Sequence, residues 1–355
     1  MVEVANETQR EAWRAGVLPP VEQVAPGLWS IPVPIPMTGL RYVLVYALEL
    51  PDGVAVIDAG WDTEEAWSAL VAGLATAGYE PADVRAIMVT HIHPDHYGLA
   101  GRLRELSGAW VGLHPADAVL IPGRYVDIDM LLDENRLLLE RMGCPAEESG
   151  LAEASMHVRA FVTVARPDVL ISDGDKLELP GWNLRAVWTP GHSPGHLCFV
   201  EPDRGVLFSG DHVLPRITPN ISVHPQQRPN PLADYLESVA KVAELGVQDV
   251  LPAHEYRFGD LAGRLAAVNE HHERRCAEIE EALAKTPGAA CWDLSTRLTW
   301  SRPWSEIHGY MRRAATGETL AHLVLLEQQG RVVRSGGRPE GWWLPDQLLD
   351  PGVRG

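Results

Sequence analysis

Short apolar runs closed by polar turns recur through the first 260 residues of this chain. Gly27-Leu28-Trp29-Ser30-Ile31, residues 42–48 and Val54-Ala55-Val56-Ile57 read as opening strands, with Pro51-Asp52-Gly53 as the turn between the second and third. Ala86-Ile87-Met88-Val89, Ala186-Val187-Trp188, Val206-Leu207-Phe208 and Val250-Leu251-Pro252 are further strand-like runs, each too short for a helix. Between Pro115 and Val164 the Met and Leu residues from Met130 to Met142 recur at helical spacing and predict a helical insertion. From about Leu261 the pattern changes. Residues 265–284 predict a long helix stopped by Thr286-Pro287-Gly288, and residues 292–298, 306–315 and 318–328 predict three more. Residues 330–337 and 341–344 then read as a two-stranded wing.

The turns that close the strand-like runs carry the chemistry. Thr90-His91-Ile92-His93-Pro94-Asp95-His96 comes directly after the run ending at Val89, and Pro94 excludes a regular helix through the histidines. Thr189-Pro190-Gly191-His192-Ser193-Pro194-Gly195-His196, Ser209-Gly210-Asp211-His212 and Ala253-His254-Glu255 close later runs in the same way. Three imidazoles and a carboxylate within six positions imply metal, and neutral imidazole with carboxylate suits zinc, with iron or manganese as alternatives. His91 and His93 are placed to face one way while Asp95 and His96 turn to a second position. The repetition suggests one rim of a sheet sandwich on which these loops converge.

In order and separation these motifs resemble the metallo-β-lactamase-fold hydrolases, specifically the glyoxalase II-like and LACTB-like branch, over roughly residues 20 to 260. The resemblance implies an α/β fold, an αββα sandwich of two mixed sheets with helices outside and metals at one edge. It also implies a ligand set: His91, His93 and His192 for a first divalent ion, Asp95, His96 and His254 for a second, and Asp211 bridging both. Asp95 would in addition hold the attacking hydroxide or pass a proton to the leaving group. An Asp at position 211, where the commonest true β-lactamases use Cys, points to the hydroxyacylglutathione hydrolase, lactonase and tRNA-processing nuclease branches. The helices and wing after residue 261 resemble the small winged-helix domain appended to some members. The domains expected are therefore a catalytic domain over 1–260, with a helical insertion at about 115–164, and a winged-helix-like domain over 261–355.

Charge narrows the substrate. The chain has 30 basic and 48 acidic residues, a net charge of −18. Residues 262–355 are balanced at 12 of each, so the first 261 residues carry 18 basic against 36 acidic residues, and the whole excess. Such a body repels a phosphate backbone, which disfavours nucleic acid as a partner. In the wing, Arg331, Arg334 and Arg338 form the basic cluster, and a packing or dimerisation role through a face including Trp292, Trp300 and Trp304 is expected instead of DNA binding. Cys144, Cys198, Cys276 and Cys291 show no paired spacing, residues 1–15 lack the apolar core of a signal peptide, and no apolar run approaches the roughly 20 residues of a membrane span. A cytoplasmic protein with reduced thiols, acting on a small molecule and able to form a homo-oligomer, is the expectation.

Residues outside the ligand set receive supporting roles. Asp58, at the end of a strand, either orients a ligand imidazole or caps the helix that begins near Thr63. His196 and His212 sit beside ligands and read as supporting or pocket residues. The proline-rich stretch 213–225 reads as an ordered loop over the site, in which Arg216 either meets a substrate anion or pairs with an acidic side chain. The helical insertion is either a wall of the substrate pocket or plain core. The expected activity is hydrolysis of a carboxylic thioester, ester or lactone by hydroxide made available between two cations. The alternatives are a phosphodiesterase or nuclease, a nonhydrolytic regulator binding DNA or protein, and an oxygen-using diiron enzyme.

Overall fold

The computed structural model describes residues 2–36, 39–153 and 156–349. The chain forms two compact units: Met1–Val126 with His157–Pro219 and Ser238–Leu265, and Asp127–Met156 with Asn220–Glu237 and Ala266–Gly355. The second unit thus draws on residues 127–156 and 220–237, and not only on the stretch after 260 that the sequence pattern marks.

The first unit is built on two sheets. After helix α1 (Glu7–Ala15), strands β1 (Glu22–Ala25), β2 (Leu28–Pro34), β3 (Tyr42–Leu50) and β4 (Gly53–Ile57) pair antiparallel in order. Helix α2 (Glu64–Thr76), capped by Thr63 whose Oγ1 accepts from Ala66 N at 3.1 Å, leads to β5 (Val84–Met88), which lies parallel to β4. The short α3 (Pro94–Tyr97) and α4 (Ala100–Ser107) precede β6 (Trp110–Leu113), also parallel. Helix α5 (Pro115–Ala118) and a π-helical turn at Pro122–Val126 follow, α6 (Asp129–Met142) belongs to the second unit, and β7 (Val169–Leu170) closes the seven-stranded sheet. Strands β8 (Arg185–Trp188), β9 (Leu197–Glu201), β10 (Val206–Gly210) and, after α7 (Pro231–Ala243), β11 (Asp249–Pro252) form the second sheet in the order β11-β10-β9-β8.

Alternation along the strands divides two cores. Tyr42, Leu44, Tyr46 and Leu48 of β3 pack with Phe199 of β9 and Phe208 of β10, so this side of the larger sheet faces the smaller one. Val43, Val45 and Ala47 point the other way, onto Leu70 and Leu74 of α2 and Leu103 of α4. Strands β6 and β9 have no counterpart in the sequence reading.

The second unit contains α8 (Leu261–Lys285) from residue 266 onward, β12 (Ala289–Ala290), α9 (Cys291–Ser295), α10 (Gly309–Gln328), β13 (Val333–Arg334) and β14 (Gly341–Trp343). Two helices are expected over 306–328, and α10 is one. Gly317 marks the apparent break in the sequence, but within the helix it lets Ser222 approach so closely that an added Cβ would sit 3.0 Å from the serine Cβ. The expected wing gains a third strand, since β14 pairs with both β12 and β13 around the fully buried Trp342. Trp292 and Trp300 both pack against Trp304, with the Arg275 guanidinium 4.5 Å over Trp300, so these tryptophans make contacts inside their own unit. The four cysteines are free thiols, and no helix among the described residues is long and apolar enough to cross a membrane.

Candidate metal centre

The loops that carry the His and Asp motifs share one rim because of strand direction. Strand β5 runs parallel to β4, and β11 parallel to β10; β9 is antiparallel to both β8 and β10, so β8 runs with β10. The turns after β4, β5, β8, β10 and β11 therefore leave the carboxyl ends of strands that run alike within each sheet. These turns hold Asp58, His91 to His96, His192 with His196, Asp211 with His212, and His254.

Pro94 occupies the first position of α3, so the helix starts only after His93, which stays on extended backbone, and both leading histidines lie outside the helix. Nε2 of His91 and Nε2 of His192 each lie 2.9 Å from Nδ1 of His93. Burial pushes His91 and His93 well below the usual imidazole range, and neighbouring imidazoles add to the shift, so these two rings are neutral.

The second cluster is held from behind by acceptors. Asp58, at φ 63°, takes the Thr90 N–H on Oδ1 at 2.8 Å and faces Nδ1 of His96 with Oδ2 at 2.7 Å. Asp58 thus orients a ligand-set imidazole, and Thr63 itself caps the next helix. Nδ1 of His254 donates to the Tyr42 carbonyl at 2.7 Å. Both imidazoles spend their Nδ1 proton on an acceptor, which in the neutral ring turns the Nε2 lone pair inward. Those Nε2 atoms meet Asp211 Oδ1 at 3.7 Å (His96) and 3.2 Å (His254), and Asp95 Oδ2 at 3.6 and 3.4 Å. The remaining oxygen of Asp211, Oδ2, faces Nε2 of His192 at 3.5 Å.

These atoms fit cations. Nε2 of His96, Nε2 of His254 and Oδ1 of Asp211 are buried and make no hydrogen bond, an arrangement of acceptors aimed at acceptors that is costly unless a positive charge lies among them. In the absence of a cation that charge has to be a proton: burial pushes His254 down, but Asp211 and Asp95 outweigh it and lift the group to about 10. His91, His93 and His192, then His91, His96 and Asp211, then Asp95, His96 and His254 each offer three ligand atoms within 4.8 Å of one another. All seven residues of the expected ligand set are thus brought together.

The supporting residues separate into three kinds. His196 accepts the Asp211 N–H on Nε2 at 3.1 Å while its Nδ1 faces Thr189 Oγ1 at 2.8 Å, so it braces the turn that presents Asp211. Gly210, at φ 51°, is required there, since an added Cβ would lie 2.7 Å from that same Nε2. His212 is fully buried, its ring 6.1 Å from that of His196, and burial pushes its pKa down to about 3. Arg216 stays outside the cluster: its backbone N–H donates to Glu255 Oε2 at 2.9 Å and its Nε lies 4.0 Å from Oε1. The loop expected after Asp211 has no regular structure up to residue 219, and Arg264 holds it through the carbonyls of Leu214 (2.6 Å) and Ile217 (2.7 Å).

Asp117 is a residue the sequence reading missed. It is fully buried and accepts from Ile92 N (2.9 Å), Ser193 Oγ (2.8 Å) and Gly195 N (2.7 Å), tying the His91–His93 loop to the loop of His192. Burial raises its pKa against these bonds, which favour the anion. Its signal was present: Trp110 to Leu113 is another apolar run, and His114-Pro115-Ala116-Asp117 comes after it as the other motifs come after theirs. Glu255 follows His254 directly in its motif. It is buried and, besides Arg216, also faces the Ile217 N–H at 3.4 Å.

The profile of the Metallo-beta-lactamase superfamily matches residues 38–254, and the chain belongs to that superfamily. It is a superfamily hydrolase whose His and Asp side chains form a site able to bind metal, as members generally do with zinc. A metallo-beta-lactamase family protein of Thermus thermophilus shares 33% identity and a TM-score of 0.80, over 91% of this chain and 100% of that one. A beta-lactamase domain protein of Burkholderia ambifaria shares 25% identity and a TM-score of 0.79, over 97% and 98%. The probable metallo-hydrolase YqjP of Bacillus subtilis is 24% identical over 74% of this chain and 82% of its own. Against the fungal relatives called lactamase-like proteins the match is shorter, covering 34% of the length of adaB of Aspergillus niger.

Proposed function

We propose that the protein is a binuclear metallohydrolase that cleaves a carboxylic thioester, ester or lactone. The observation that carries this reading is the divided carboxylate of Asp211, with Oδ1 toward His96 and His254 and Oδ2 toward His192. That division suits a bridge between two ions, one held by His91, His93 and His192 and the other by Asp95, His96 and His254. Two divalent cations, zinc by the donor set, supply when bound a water acidified to near neutral pH and a pole for the substrate oxygen. Asp58 and the Tyr42 carbonyl hold two of the imidazoles in their tautomers, and His196 fixes the Asp211 backbone. Asp95 retains some exposure, 13% of its side chain, and is placed to hold a proton and pass it to the leaving group. No side-chain nucleophile is required.

The acidic excess of the first 261 residues supports an acyl substrate over a polyanion. The glyoxalase II-like and LACTB-like branch is the assignment that goes with a bridging Asp. We divide the chain into a catalytic domain over 1–260 and a winged-helix-like domain over 261–355, the latter for packing or self-association, in a cytoplasmic protein. Zinc-loaded protein assayed against a thioester, a lactone, a phosphodiester and a β-lactam tests the reading. The acyl substrates are expected to turn over fastest, and phosphodiester hydrolysis as the dominant activity would overturn it.

A further inference from the structure

Arg124 stands unpaired among the described residues, in a chain that offers acidic partners in excess. It lies in the π-helical turn Pro122–Val126, half-buried, and within that described set its guanidinium makes neither an ion pair nor a hydrogen bond. Arg102, Arg104, Arg141, Arg257, Arg275 and Arg331 all pair with carboxylates. The turn is fixed to the candidate metal centre: the hydroxyl of the buried Tyr125 donates to the carbonyl of Ile92, between His91 and His93, at 2.5 Å. The Arg124 charge lowers the Tyr125 pKa behind the opposing effect of burial, and makes a smaller contribution at His93, behind burial and His192, and at Asp117, behind burial and its three hydrogen bonds. Asp117 makes no ion pair with it; its oxygens accept from Ile92, Ser193 and Gly195. Val119 and Val126, 73% and 63% exposed, leave apolar surface on the same segment.

An arginine in a turn anchored to the ligand loop, partly withdrawn from water and without an ion pair among the described residues, offers a planar fork suited to a carboxylate or a phosphate. We propose that Arg124 is the anion-recognising residue of this site and that the substrate carries a negative group beside the bond to be cleaved. The inference rests on the hydrolase reading and narrows it to anionic acyl compounds, with the charge on the acyl side or on the leaving thiol.

Two matched pairs of thioesters distinguish these sources. S-glutaryl against S-pentanoyl N-acetylcysteamine places a carboxylate on the acyl side, and S-pentanoyl mercaptopropionate against S-pentanoyl N-acetylcysteamine places one on the leaving side. Wild-type protein is expected to prefer the charged member of one pair. Arg124→Ala should lower that preference by about 10- to 100-fold, mainly through KM, with Arg124→Lys between the two, as for loss of a charge-assisted hydrogen bond. Zinc content measured on each variant separates this from damage to the ligand loop. Equal kinetics on both members of both pairs, or a preference that survives Arg124→Ala, overturns the proposal. If no thioester is hydrolysed, the hydrolase reading falls, and calorimetric binding of glutarate to zinc-loaded protein decides the anion site alone. Affinity at least about 10-fold weaker in Arg124→Ala supports it, and unchanged affinity overturns it.

Discussion

The backbone N–H of Asp211 donates to Nε2 of His196 at 3.1 Å. The carboxylate that faces both histidine clusters is therefore aimed by an imidazole fifteen residues earlier, itself held by Thr189. Since Nε2 accepts, the proton of the neutral ring sits on Nδ1, toward the Thr189 hydroxyl.

His196→Leu removes this acceptor and leaves a buried N–H without a partner. We expect metal affinity to fall by about 10- to 100-fold, the range for residues that orient ligands, with far-UV circular dichroism unchanged. Metal competition titration checks it, and wild-type affinity would refute a bracing role.

Asp117→Ala should loosen both loops that it joins. Two buried backbone donors, Ile92 N and Gly195 N, lose their acceptor, at about 1–3 kcal/mol each. Ser193→Ala, which removes only a hydroxyl donor to the same carboxylate, should cost under about 1.5 kcal/mol. Chemical denaturation of the two variants gives the comparison. A milder Asp117→Ala than Ser193→Ala would contradict the strut role.

Acid should weaken the second unit. Burial holds His272 near 2 and His322 near 3, far below the unfolded value of about 6.5, and Nδ1 of His272 lies 3.1 Å from Nε2 of His322. Between pH 6.5 and 3 the unfolded chain binds protons that the folded unit does not, so stability falls as pH drops through 6.5. The loss reaches about 2 kcal/mol per histidine at pH 5. Glu318, raised by burial, acts in the opposite sense, since its folded form binds the proton first, but it is one group against two. Melting curves at pH 7, 6 and 5 should show a falling Tm, less steep in His272→Gln. A Tm independent of pH in both would count against it.

The sheets and the gathering of the His and Asp motifs were legible because each of those motifs comes directly after an apolar run. Strand β9, Leu197 to Glu201 directly behind His196, was not, because the turn after it carries none of the His motifs, and neither was Asp117, whose role depends on three donors from two other loops. The single helix α10 was hidden by Gly317, whose use is a tertiary approach to Ser222. The composition of the second unit was equally hidden, since residues 127–156 and 220–237 join it through contacts that no local pattern encodes.

Those contacts also bear on nucleic acid. Arg331 forms a double hydrogen bond with Glu280 (3.0 and 2.7 Å), Arg334 lies 3.1 Å from Glu327 and 3.5 Å from Glu340, and Arg338 lies 3.9 Å from Glu140. A phosphate would have to displace carboxylates from each. Fluorescence anisotropy with labelled duplex DNA and RNA should therefore show no tight binding at physiological salt. Affinity that falls steeply between about 50 and 200 mM salt, and is lost on neutralising the three arginines, would promote the nuclease alternative.

The bridge at Asp211 is tested most directly by counting ions. Elemental analysis of zinc-saturated, desalted protein should give two ions per chain in the wild type and no more than one in Asp211→Ala, whose circular dichroism stays native while most hydrolysis is lost. One ion per chain in the saturated wild type, or two ions and near-normal turnover in Asp211→Ala, would contradict the binuclear account.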